Sequence, residues 1–282
     1  MRTLVHLSDM HFGKLDAFHI ESMLEAIRAI RPDLIIVSGD FTQRARVSEY
    51  KGAAEFLKNL EFPHLVIPGN HDIRPLFNPI ARITDPFDRY KQYISDNLEP
   101  GFVDEEVAIA SVNTVRSHAI KDGRVNKSQI DRLARWFKRV KGDRLKIVVT
   151  HHPFDMPFVH KTQNKEYTYR TSRLARRAKM AVHTLAEVGV DIYLSGHYHQ
   201  SSAGETAHRY KIENYSAISV RAGTVSMQQR GEEQSFNLIF TNTGTVRIDT
   251  YVFNVEKKVF DLCASKNFIK AGKQWKEQKS TL

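Results

Sequence analysis

Five short apolar runs, each breaking off into side chains that bind metals, constrain this chain more than any other feature. Leu65-Val66-Ile67 gives way to Pro68 and then to Gly69-Asn70-His71-Asp72. Leu4-Val5-His6-Leu7 leads into Ser8-Asp9-Met10-His11, and Leu34-Ile35-Ile36-Val37 into Ser38-Gly39-Asp40. Farther along, Ile147-Val148-Val149-Thr150 precedes His151-His152-Pro153, and Ile192-Tyr193-Leu194-Ser195 precedes Gly196-His197-Tyr198-His199. Runs of this length and composition read as strands, and strands of an α/β sheet present polar side chains and collect ligands at their carboxyl ends. An Asn oxygen is a weak neutral ligand, useful only where other donors have already fixed a cation. The four other runs supply those donors.

A single Asp-x-His or His-x-His has little weight, because short polar loops contain such pairs by chance. Here the set Asp9-x-His11, Gly39-Asp40, Gly69-Asn70-His71-Asp72, His151 and Gly196-His197-x-His199 occurs complete and in order. It resembles the signature of the calcineurin-like metallophosphoesterases, and its short spacings resemble the bacterial cyclic-nucleotide phosphodiesterase-like branch. The resemblance implies an α/β fold: a four-layer αββα sandwich of two mixed sheets flanked by helices, with a dinuclear metal site at the strand ends.

The 282 residues with 41% hydrophobic content suffice for one large domain. We expect a catalytic domain over residues 1–254 and a basic C-terminal extension over 255–282. The single cysteine, Cys263, leaves no internal disulfide and no thiolate metal cage, in keeping with a reducing compartment. Met1-Arg2-Thr3 runs straight into the first strand, leaving nothing to serve as a signal peptide. No stretch approaches the roughly 18 apolar residues of a membrane span. A cytoplasmic protein is expected, with any membrane role confined to the periphery of the inner face.

Helical spacing of apolar residues predicts helices over 16–31, 48–60 (Ser48 as N-cap), 128–140 (capped by Ser128) and 172–188. Their alternation with the strands predicts parallel pairing and right-handed crossovers. Pro75, Pro79 and Pro86 break up residues 73–104, whose aromatics either pack ordinarily or wall the substrate pocket. Residues 152–170 read as a rim loop or lid. Beyond His199, runs at 218–220, 236–240 and 246–253 predict antiparallel strands completing the second sheet, with a hairpin turn at Asn242-Thr243-Gly244. Residues 255–282, Lys-rich with interspersed aromatics, are expected to dock on the body, engage a membrane surface or fray.

Oxygen donors mixed with imidazoles suit Mn, Fe or Zn, with Mn favoured, better than Ca or Cu(I). Carried over residue by residue, the resemblance implies Asp9, His11, Asp40 and His199 on one divalent ion, and Asp40, Asn70, His151 and His197 on the other, with Asp40 bridging. His151, directly behind its strand, is the better ligand than His152, which is left to substrate or to supporting contacts. Two cations about 3.5–4 Å apart acidify a bridging water, whose hydroxide attacks phosphorus in line. The resemblance makes His71 the group that protonates the leaving oxygen, with Asp72 orienting its imidazole. The other histidines carry no motif and are expected in the core or on the surface.

A formal charge of +10 and a pI near 9.6 favour an anionic partner. The leading expectation is a phosphodiesterase acting on a small phosphodiester such as a 3′,5′-cyclic nucleotide. The alternatives are a membrane-associated hydrolase of a phospholipid or nucleotide-lipid diphosphate, as in UDP-2,3-diacylglucosamine hydrolases, or a non-catalytic metal-binding scaffold. The lipid reading draws on Arg170, Arg173, Arg176, Arg177 and the basic C-terminus as a surface for anionic membrane. Nucleic acid ranks below both, since no aromatic-basic stacking motif is present.

Overall fold

The computed structural model describes residues 1–14, 17–74, 79–119, 121–156, 174–226 and 233–278. The amino-terminal half opens as β1 (Arg2–Leu7), α1 (Ala17–Ile30), β2 (Leu34–Val37), α2 (Val47–Asn59) and β3 (His64–Val66). The three strands are parallel, because each crossover helix returns the chain to the same sheet edge. Met23, Leu24 and Ile27 of α1 share one face and are buried, as the spacing predicts. α2 starts one residue early, and its cap is not Ser48. Instead the Glu49 carboxylate reaches back to the Arg46 N–H at 3.1 Å, the reciprocal half of a capping box.

Residues 79–103 form α3 (Pro79–Thr84), α4 (Asp88–Tyr93) and the edge strand β4 (Gly101–Val103). Pro79 opens a helix here instead of breaking one, since the first helical position needs no N–H. Phe87 and Tyr90 are buried in the main core, so these two aromatics pack ordinarily. Then follow β5 (Val107–Ser111), α5 (Lys127–Arg139), β6 (Leu145–Val149), α6 (Ala178–Glu187) and β7 (Ile192–Ser195). α5 is capped not by Ser128 but by Gln129, whose Oε1 accepts the Asn126 N–H at 2.9 Å. α6 begins at Ala178, six residues later than the periodicity predicts. Residues 174–177 are irregular instead, with Arg176 bridged to the strip 123–125: Arg176 N–H bonds Gly123 O at 2.8 Å and Val125 N–H bonds Arg176 O at 3.2 Å, while Arg177 turns left-handed at φ 71°.

The remaining strands are β8 (Ser202–Glu205), β9 (Ile218–Arg221), β10 (Ser235–Asn242), β11 (Thr245–Asn254), β12 (Val259–Ala271) and β13 (Gln274–Gln278). Two sheets result, ordered β13-β12-β11-β10-β1-β2-β3 and β4-β5-β6-β7-β9-β8. Two expectations are corrected here. β9 lies in the second sheet as expected, antiparallel to β8 but parallel to β7, and β10 pairs antiparallel with β1 and with β11, which puts both in the first sheet instead of completing the second. The hairpin at Asn242-Thr243-Gly244 does form, with Gly244 at φ 78°. Of the Lys-rich segment, residues 259–278 lie on the body as β12 and β13, anchored by the fully buried Trp275.

Side-chain alternation sorts the core into three layers. Leu4, Ile36, Leu65, Ile147, Leu194 and Ile218 meet between the sheets. Val5, Ile35 and Val37 face the other way, onto α1 and α2, while Val148 and Tyr193 face α5 and α6. Helix, sheet, sheet, helix is thus the layer order, and each buried Leu or Ile contributes roughly 1.5–3 kcal/mol to it. Both faces of every central strand are covered, which is why their sequences are apolar throughout and not alternating.

Candidate metal centre

The carboxyl ends of β1, β2 and β3 in one sheet face those of β6 and β7 in the other, and the polar turns meet across that gap. Donor atoms of Asp9, His11 and His199 lie within 4.8 Å of one another, as do those of Asp9, Asp40 and His151, and those of His151, His152 and His197. Asn70 joins them, its Oδ1 3.1 Å from His151 Nε2. The backbone is bent sharply to achieve this. Asp9, His11, Asp40, His197 and His199 sit at φ 52°, 48°, 56°, 75° and 58°. A left-handed residue with a Cβ costs about 1–2 kcal/mol, and such costs concentrate at functional sites. Glycine appears where carboxylates press on backbone: a Cβ on Gly69 would fall 2.1 Å from Asp40 Oδ1, and one on Gly196 2.5 Å from Asp9 Oδ2.

Backbone carbonyls aim the imidazoles. His11 donates its Nδ1–H to Thr42 O at 3.3 Å, and His151 donates its Nδ1–H to Ser38 O at 2.8 Å. That leaves each Nε2 facing inward, His11 Nε2 3.0 Å from His199 Nε2 and His151 Nε2 3.3 Å from Asp40 Oδ2. A carbonyl-held Nδ1 with Nε2 presented is how metal-binding histidines are oriented. The two carboxylates are held too: Asp40 Oδ1 accepts the His71 N–H and Asp9 Oδ2 the His197 N–H, both at 2.8 Å. His152 differs from His151. Its Nδ1 lies 2.9 Å from Thr114 Oγ1 and its Nε2 donates to Lys121 O at 3.1 Å, so both nitrogens are engaged.

His71 packs edge-on against His11 with ring centroids 4.9 Å apart, which brings it into the cluster. The expected role of Asp72 is corrected. Its carboxylate does not touch the His71 ring; it accepts the N–H groups of Phe41, Thr42 and Gly69 at 3.1, 2.8 and 2.9 Å, and the Thr42 hydroxyl at 3.0 Å. Asp72 therefore ties the turn after β2 to the turn after β3. The His71 ring is oriented instead by Gln43, whose carbonyl accepts its Nδ1–H at 2.8 Å. No residue-type signal announces such an acceptor, because every residue has a carbonyl.

The electrostatics fit a cation site. Burial alone would raise the Asp40 carboxyl, yet His151, His71 and His11 hold it well below the usual carboxylate range. Asp9 is likewise lowered against its burial, by His199 and His151. Burial pushes His11 down to about 4 and, helped by His151, His197 to about 3. His151 is the exception, raised to about 9 because Asp40 outweighs its burial. Two ionised carboxylates, the imidazoles of His11 and His197 kept neutral by burial, and the buried Asp9 Oδ1, which lacks a hydrogen-bond partner among the described residues, form a donor set suited to positive charge, to which His151 adds its Nε2 once it gives up its proton.

Of the arginines expected at a membrane surface, Arg170 and Arg173 lie outside the described residues, as does most of the expected rim loop. Arg176 and Arg177 are exposed on the strip beside Gly123, whose neighbour Lys121 bonds His152. Among the described residues no helix is long and apolar enough to cross a membrane.

Comparison with known proteins agrees with this geometry. A sequence model of the calcineurin-like phosphoesterase family matches residues 2–201. A glycerophosphodiester phosphodiesterase, GpdQ, of Enterobacter lignolyticus is 40% identical over 86 residues, 26% of this chain and 31% of that protein. A probable cyclic nucleotide phosphodiesterase of Fibrobacter succinogenes is 25% identical over 201 residues, 70% of this chain and 66% of that protein. The chain thus spans less than two thirds of either relative. Among solved structures, yellow lupin purple acid phosphatase superposes with a TM-score of 0.65 at 12% identity, covering 94% of this chain and 53% of that one. A dimetal phosphatase from Danio rerio gives 0.59 at 11% identity, covering 88% and 95%. These identities speak for the fold alone.

Proposed function

Because this chain belongs to the calcineurin-like phosphoesterases, a family that uses a dinuclear metal centre, we propose that it is a phosphodiesterase acting on a small phosphodiester such as a 3′,5′-cyclic nucleotide. The observation that carries the proposal is the convergence of buried carboxylates and carbonyl-aimed imidazoles between two sheets, on backbone strained to bring them there. Asp9, His11, Asp40 and His199 would hold one divalent cation, and Asp40, Asn70, His151 and His197 the other. Asp40 is suited to bridge, with its Oδ2 3.3 Å from His151 Nε2 and 3.9 Å from His11 Nε2. Mn is the favoured ion, with Fe or Zn compatible with the same oxygen and nitrogen donors. When bound, such a pair supplies Lewis acidity toward the phosphoryl oxygens and lowers the pKa of water.

The chain's own part in turnover is orientation and proton transfer. With Nδ1–H committed to Gln43 O, the His71 Nε2 is the ring atom left to carry a proton to the leaving oxygen. Asp72 keeps the turns bearing Asp40 and His71 in register. Both relatives are named for diester substrates, which favours a diester over a monoester. The test is hydrolysis of bis(p-nitrophenyl) phosphate against p-nitrophenyl phosphate, with Mn and after chelation. Metal-dependent preference for the diester is expected. A monoester preference would overturn the diester assignment, and silence on both would leave the scaffold reading in its place.

A further inference from the structure

Resting on the reading of His71 as proton donor, we propose that Glu49, a residue of α2 that touches none of the donors, is the positioning residue that sets the His71 imidazole. Glu49 is 7% exposed, and its Oε2 accepts two backbone N–H groups, Arg44 at 2.8 Å and Arg46 at 3.1 Å. Helix capping accounts for the second bond but not for the first, which lies two residues farther out. Between the bonded N–H groups and Thr42 runs the segment whose carbonyls orient the site: Thr42 O receives the His11 Nδ1–H and Gln43 O the His71 Nδ1–H.

The other side of Glu49 faces the turn after β1. Gly13, at φ 104°, lies so close that a Cβ there would stand 2.8 Å from Glu49 Oε1. One carboxylate is thus wedged between the two turns that carry His11 and Gln43. The Gln43 N–H bonds Phe12 O at 3.1 Å, and Phe12 N–H bonds Phe41 O at 2.7 Å, so the turns move together. Removing Glu49 frees the Arg44 and Arg46 N–H groups and lets the Gln43 carbonyl drift. The cost falls on His71, because His71 Nδ1 has that carbonyl as its acceptor, whereas His11 is additionally fixed by its packing among buried groups.

The experiment compares Glu49→Ala, Glu49→Gln, His71→Gln and the Glu49→Ala/His71→Gln double variant in the full chain with Mn. Glu49→Ala is expected to lower kcat about ten- to a hundredfold, as a small misplacement of a catalytic group does, with KM and Mn content unchanged. Glu49→Gln, whose amide oxygen accepts the same two N–H groups, should recover most of the rate. The double variant should be no slower than His71→Gln alone, since Glu49 acts through that ring. The readout independent of rate is the 15N-histidine spectrum of the Zn-loaded, diamagnetic protein, in which the His71 Nδ1–H resonance should broaden or shift in Glu49→Ala and stay put in Glu49→Gln. If Glu49→Ala fails to fold, Glu49→Asp, one methylene shorter, carries the same comparison. An unchanged His71 resonance, or a further rate loss in the double variant, overturns the proposal. Full activity in His71→Gln would instead sink the proton-transfer reading, and the resonance would still judge Glu49.

Discussion

The two ends of the sandwich reverse the chain in different ways. At the far end, the turns at Gly142, Gly189, Gly244 and Gly272 take φ of 73°, 67°, 78° and 63°, and at the last three a Cβ would meet nothing within 4 Å. Glycine there answers only the need for a left-handed backbone. At the carboxyl end, five of the ten left-handed non-glycine residues among the described residues are Asp9, His11, Asp40, His197 and His199. A side chain is kept at each despite the strain. The difference separates turns selected for shape from turns selected for what they present, and it can be read from dihedral angles alone.

The largest effect should come from removing a donor at the strained end. Asp40→Ala or Asn70→Ala is expected to reduce metal-dependent diester hydrolysis to background, as followed with bis(p-nitrophenyl) phosphate. A fully active Asp40→Ala protein after chelation would break the comparison outright. Next in size is metal removal. Chelation should lower the melting temperature, because ions bound at a hundred times their dissociation constant contribute about 2.7 kcal/mol. Calorimetry with and without Mn checks this, and equal melting temperatures would contradict a cation site there.

A sharper contrast pairs one residue from each end. Gly244→Ala should cost about 1 kcal/mol, leaving hydrolysis and Mn content untouched. His199→Gly, by relieving strain on a side chain 32% exposed, should not destabilise the metal-free protein, while weakening Mn binding. Denaturant titrations of both, in chelator, decide it; a large loss in His199→Gly would mean that the left-handed residues there are cheap. The smallest effect belongs to neither end. His6, fully buried in β1, is pushed down to about 3 by its burial. Its ordinary value of 6.5 holds in the unfolded chain, which therefore binds a proton below that pH while the folded chain does not. Stability should be fully present above pH 6.5 and fall as pH drops toward 3, with a slope of up to about 1.4 kcal/mol per pH unit from this group. In metal-free protein, His6→Gln should flatten that slope between pH 6.5 and 5; an unaltered slope would assign the acid sensitivity elsewhere.

Much of the scaffold was legible because it follows from local pattern. Unbroken apolar runs made β1, β2, β6 and β7 visible, since strands covered on both faces show no polar alternation to confuse with a helix. The end of the molecule rich in lysine was harder. β12 reads Val-Phe-Asp-Leu-Cys-Ala-Ser-Lys-Asn-Phe-Ile-Lys-Ala, with Phe260 and Phe268 buried but most positions exposed, so its charge resembled a tail while its backbone was a strand near the sheet edge. Residues 174–177 misled in the opposite sense: helical spacing was present, but pairing with residues 123–125 supplied better partners for the backbone. Caps at Ser48 and Ser128 did not form, because the helices start one residue earlier, and Glu49 and Gln129, each three residues past the cap position, reach back to the N–H groups of the cap residues Arg46 and Asn126.

The stock of donors, their order along the chain and their place behind strands can all be read from the residues alone. Aspartate, asparagine and histidine declare their chemistry by type, and a strand end declares their edge of the sheet. Which nitrogen of each imidazole faces inward and what Asp72 holds depend on contacts that exist only in the folded chain. Those choices depend on the carbonyls of Ser38, Thr42, Gln43 and Lys121, brought against the rings from distant parts of the chain. A carbonyl is the same group in every residue, so the sequence has no letter for it, and only folding gives it a position.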